Sequence, residues 1–169
     1  MAETHTVNAA TLPPYVAAPH SPANSAPVGA HIGTAFDQAY IGACTGAKLE
    51  DLHMAAAVLK GRKVATNVRL LLAPASTRIT AAAAADGTLA ALTQAGAILM
   101  PSGCGACAGY GAGVLAEGEV CIASTSRNFQ GRMGASSSQV YLASPYTVAA
   151  SAVAGQIADP RDFLARGAS

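Results

Sequence analysis

Within "PSGCGACAGYG", Pro101 to Gly111, Cys104 and Cys107 stand two residues apart among glycines and alanines. Such a pair suits a disulfide, a zinc ion, an iron–sulfur cluster or simple burial. A third thiol, Cys44, closes the strand-like run "FDQAYIGACT", so three thiolates could meet at one edge of a sheet. A closed structural zinc site wants four protein ligands, commonly two CxxC-like pairs, and only one such pair is present. Three cysteines suit a four-iron cluster that leaves one iron open to water and substrate oxygens. Glycine and alanine let the backbone approach a bulky cluster and offer amides to its sulfides. Spacing by itself leaves zinc and burial open.

Cys121 lies in "EVCIAS", an alternating apolar strand, and reads as a core thiol. The strand leads into "STSRNFQGRMG", where Arg127 and Arg132 could present two guanidinium forks to carboxylates. No acidic residue nearby offers either one a structural ion pair. Ser124 and Thr125 could reach the cysteine site or finish the strand. Tyr110 could line a pocket or pack, while His5, His20 and His53 show no ligand spacing.

Strands and helices in alternation must position these groups. After Cys44, "KLEDLHMAAAVLKG" places Leu49, Leu52, Ala56 and Leu59 at helical spacing, with Glu50 and Asp51 in the first turn and Gly61 as a stop. "VRLLLAP" from Val68 is the continuous apolar run of a strand buried on both faces. One helix is expected from Thr77 to Ala95, short strands at "AILM", "EVCIAS" and "QVYLAS", and a last helix in "PYTVAASAVAG", opened by Pro145 and closed by Gly155. The alternation predicts an α/β fold, a three-layer α/β/α sandwich around a mostly parallel sheet, with ligands beyond the carboxyl ends of strands. Five of the nine prolines fall between Pro13 and Pro27, so residues 1–36 read as an extended arm and 37–169 as the α/β/α domain.

Composition narrows the function classes. The 169 residues are 51% hydrophobic and only 11% charged, with a net charge of +1 and no Lys/Arg cluster, which argues against a nucleic-acid or acidic-membrane partner. So few charges suggest that other domains cover part of the surface. The apolar stretch from Ile79 to Pro101 is interrupted by Asp86, Gly87, Gln94 and Gly96 and does not read as a membrane span. "MAETHTVN" lacks the basic start and apolar run of an export signal, so the expected location is cytoplasmic, where disulfides are disfavoured.

Taken in order, "LPPYVAAPHSPANSAPV", "YIGACTGAKLEDL", "GCGACAGYG", "STSRNFQGRMG" and "VYLASPYTVAASAVAG" resemble the aconitase and 3-isopropylmalate dehydratase large-subunit family over roughly residues 10 to 164. The part resembled is the cluster-bearing C-terminal domain, the third domain of aconitase. The resemblance implies that Cys44, Cys104 and Cys107 hold a 4Fe-4S cluster and that Arg127 and Arg132 bind substrate. It implies a hydro-lyase acting on a hydroxy di- or tricarboxylic acid, such as isopropylmalate, a substituted malate or citrate, by Lewis-acid dehydration and rehydration.

The chain departs from the family pattern in two ways. Where the family commonly reads CTNG, it has Cys44-Thr45-Gly46-Ala47, and Ser126 stands where an asparagine commonly precedes the first arginine. These changes favour a divergent dehydratase over a true aconitase. No residue matches the family's serine base, which comes from a swivel domain, in many members a separate small subunit. The expectation is a split subunit or fragment that is inactive without the remaining large-subunit domains and the swivel-domain small subunit. The alternative is a non-catalytic remnant that binds a metal or a protein partner.

Overall fold

The apolar run after Asn67 becomes β4 (Arg69–Ala73), and beside it lies β3 (Gln38–Gly42), buried along its whole length. A computed structural model of the chain describes residues 3–164, so residues 1–2 and 165–169 of the two expected segments lie outside it. β1 (Tyr15–Ala17), β2 (Ser25–Pro27), β5 (Ile98–Leu99), β6 (Val120–Ala123) and β7 (Gln139–Ala143) complete a seven-stranded sheet in the order β2-β1-β7-β6-β3-β4-β5. The five strands from β7 to β5 are parallel. β1, from the proline-rich segment, runs antiparallel against both β7 and β2.

Alternation along the strands sorts the core into two halves. Ala39, Ile41, Leu70, Leu72 and Ile122 point to one face, and α1 (Leu49–Leu59), α2 (Thr77–Ala85), α3 (Thr88–Ala95) and α4 (Pro145–Ala154) contribute to the same core. Leu52 and Leu59 of α1 are fully buried there, each worth about 1.5–3 kcal/mol. The small Ala149, Ala150 and Ala152 let α4 approach closely. α4 starts on Ser144, whose Oγ accepts the Thr147 amide at 3.3 Å, and ends at Gly155.

The sequence predicts one helix from Thr77 to Ala95, whereas the structure has two. Asp86 Oδ1 accepts the Thr88 amide at 2.9 Å and so caps a new helix, and Gly87 takes a left-handed φ of 84° between the two. Local capping outweighs the helix propensity of the alanines on either side.

Tyr40, Leu71, Ala73, Cys121, Ala123 and Val140 point to the opposite face. Two long connections, 100–119 and 124–138, supply Ala106, Leu115 and Met133 to cover it. These connections carry the CxxC pair and both arginines. No helix among the described residues is long and apolar enough to cross a membrane.

Candidate cluster site

Cys44 lies two residues past the end of β3 and is exposed, in the short link that leads to α1. The Lys48 amide at the start of that helix is bonded to Asp51 Oδ2 at 2.9 Å, which fixes where the helix begins. Cys104 caps a 3-10 turn, Gly105–Ala108, that contains Cys107, and the Cys107 amide bonds to the Cys104 carbonyl at 3.0 Å. Cys104 is exposed and Cys107 half-buried, and all the cysteines are free thiols.

The turn carries both Cys104 and Cys107, and Cys44 lies near enough for its charge to act on Cys107. Burial pushes the Cys107 thiol up, Arg132 opposes the shift, and negative charge on Cys104 and Cys44 adds to it. Among the described residues no three His, Cys, Asp or Glu side chains are grouped so as to hold a single metal ion. Three thiols with one CxxC pair are one ligand short of a closed four-ligand zinc site, and thiolates are the ordinary ligands of iron–sulfur clusters. Cys121, by contrast, is fully buried in β6 among Tyr40, Ala123 and Val140, and burial raises its thiol strongly, as befits a core residue.

A cavity of about 320 Å³ opens beside Cys104, lined by Tyr40, Met100, Ser102, Ala106 and Tyr110. Tyr110 thus lines the pocket while remaining exposed. Tyr40 went unnoticed in the sequence. It is only 1% exposed, and burial, the Cys107 charge and smaller contributions from Cys121 and Cys104 push its phenol up to about 12, against an opposing hydrogen bond with the Cys107 backbone. It stays a neutral hydroxyl under the CxxC turn. The available signal was the alternation in β3, which points residue 40 to the same side as Gly42.

The two arginines differ. Arg132 is half-buried, and its Nε donates to the Cys107 carbonyl at 2.8 Å, tying the second connection to the CxxC turn. Arg127 is exposed, and its Nη1 donates to the adjacent Ser126 carbonyl at 2.8 Å. Neither forms an ion pair with a carboxylate among the described residues. Between them, Asn128 is fully buried and its Nδ2 donates to the Ala18 and Val140 carbonyls at 2.9 and 3.0 Å. His53 pairs with Asp86 at 2.7 Å and His5 with Glu3 at 3.8 Å, while His20 is exposed.

A sequence model of the family described as "Aconitase family (aconitate hydratase)" matches residues 29–155. The chain is 51% identical over 159 residues to the 3-isopropylmalate dehydratase large subunit 1 of Methanopyrus kandleri, covering 94% of this chain and 38% of that protein. It is 48% identical over 158 residues to the 3-isopropylmalate dehydratase large subunit 2 of Archaeoglobus fulgidus, with the same coverage. It is 49% identical over 157 residues to the homoaconitase large subunit of Thermus thermophilus, covering 93% of this chain and 38% of that one. The chain spans little more than a third of the length of these relatives.

Proposed function

The chain belongs to the aconitase family, and from that premise we propose that it is the cluster-bearing part of a hydro-lyase acting on a hydroxy di- or tricarboxylic acid. The observation that supports this reading is Cys104 on the wall of a cavity, with Cys107 in the same turn and Cys44, just past the carboxyl end of a parallel strand, near enough for its charge to act on Cys107. These three residues would hold a 4Fe-4S cluster. When bound, that cluster supplies the Lewis acidity that helps hydroxide, a poor leaving group, depart from the substrate.

The protein's own groups do the rest of the binding. Arg127, exposed and without a carboxylate partner, offers its fork to a substrate carboxylate. Arg132, whose Nε donates to the Cys107 carbonyl, offers a second cation to a substrate carboxylate. The neutral Tyr40 phenol adds a polar wall without adding negative charge near the anionic substrate. The base that moves the carbon-bound proton comes from another domain or chain, so the reaction requires the remaining large-subunit domains and a small subunit. The apolar Ile98 and Leu99 on the edge strand, Tyr110 beside the CxxC turn and Phe129 between the arginines are exposed and suit burial by such partners.

The test is anaerobic reconstitution of the 169-residue chain with iron and sulfide. Broad absorption in the visible blue is expected for the parent chain and for Cys121→Ala. It should be lost in Cys44→Ser, Cys104→Ser and Cys107→Ser. A cluster that needs Cys121 as much as the other three would have four protein ligands and no open iron, and the reading would fail.

A further inference from the structure

We propose that Ser124 is the residue that positions Cys44, its hydroxyl clamping the loop on both sides of the thiol. This rests on the reading of Cys44, Cys104 and Cys107 as cluster ligands. β6 pairs with β3 only as far as Ala123 opposite Tyr40, whereas on its other edge β3 continues alongside β4 to Gly42 opposite Ala73. The Gly42 amide therefore has no ladder partner on the β6 side. Ser124 supplies one: its Oγ accepts from the Gly42 amide at 3.2 Å and donates its own proton to the Gly46 carbonyl at 2.7 Å. Its backbone amide bonds to the Tyr40 carbonyl at 3.0 Å, which holds the hydroxyl in register with the end of β3.

Residues 42 to 46 are thus a five-residue loop whose two ends meet on a single oxygen, with Cys44 at the centre. Gly42 and Gly46 are buried, so without that oxygen one donor and one acceptor would lose their partner away from water. Packing makes the same demand. A Cβ at Gly46 would stand 1.9 Å from the Ser124 carbonyl oxygen, so any side chain there would push the loop off its clamp. A hydroxyl accepts and donates at once, and outer-shell partners of this kind set how well a ligand holds its metal.

The test uses the full 169-residue chain, with hydrogen exchange across residues 42–46 and the rate at which an iron chelator strips the reconstituted cluster. In Ser124→Ala the Gly42 amide should exchange about tenfold faster. Its cluster should be lost about ten- to a hundredfold faster, with exchange in α1 and α4 unchanged. Gly46→Ala should behave alike, and Ser124→Thr, which keeps the hydroxyl, should restore both. A Ser124→Ala protein that holds its cluster as the parent does, or whose exchange rises evenly through α1 and α4, overturns the proposal. Should Ser124→Ala fail to fold, a folded Ser124→Thr that loses its cluster overturns it and one that keeps it supports it. If the parent chain takes up no cluster, the ligand reading fails separately. The clamp is then judged in the apo chain by the alkylation rate of Cys44 relative to Cys104, and equal ratios in parent and Ser124→Ala overturn it.

Discussion

Removing Arg132 should damage the fold around the CxxC turn, while removing Arg127 should not. Arg132 Nε donates a charged hydrogen bond of 2.8 Å to the Cys107 carbonyl from a half-buried position. Bonds to charged groups contribute about 1.5–3 kcal/mol, and partial exposure places this one at the lower end, about 1.5 kcal/mol. For a chain of this size each kcal/mol moves the melting temperature by roughly 2–4 °C. Arg132→Ala should therefore melt about 3–6 °C lower. Arg132→Lys should recover little of this, because lysine keeps the charge but has no Nε–H at that point. Arg127, exposed and bonded only to its neighbour's carbonyl, should change stability by less than about 0.5 kcal/mol when replaced by alanine. Thermal melts followed by circular dichroism measure both. Equal melting temperatures for Arg127→Ala and Arg132→Ala would refute the division of labour, whichever way they moved. A carboxylate ligand such as a substituted malate, offered to the complete enzyme, should bind more weakly in both variants.

Asn128 ties the arginine-bearing connection to the backbone near β1 and in β7 through two carbonyls, so Asn128→Ala should cost at least about 2 kcal/mol, read as a lowered midpoint in urea. Asp86 is hydrogen-bonded to Thr88 and to His53, which hold its carboxyl at about 2 instead of the ordinary 3.8. Because the folded value is the lower one, its stabilising contribution is complete above the ordinary value and is lost as the pH falls from about 3.8 to about 2. Asp86→Asn should flatten the stability profile in that window, and an unchanged acid limb would show that the pair contributes nothing.

The order of strands and helices was legible from local pattern. Continuous apolar runs such as "RLLLA" announce strands covered on both faces, and Leu49, Leu52, Ala56 and Leu59 announce one helical face. Both signals lie within a few residues of chain, where periodicity and solvent decide. The break at Asp86–Gly87 was also written locally, but the alanines on either side mask it in any reading by helix propensity. The cysteines and arginines could be named as candidates from their types and spacing, and the core character of Cys121 from its alternating strand. The sequence alone could not say that Arg132 reaches Cys107, that Tyr40 underlies the CxxC turn, or that one serine oxygen closes the Cys44 loop. Those contacts join residues 25, 67 and about 80 positions apart. They exist only because parallel pairing sets β3, β4 and β6 side by side and sends their carboxyl ends to one edge. Local chemistry chose the elements, whereas the register of the sheet decided which side chains share a site.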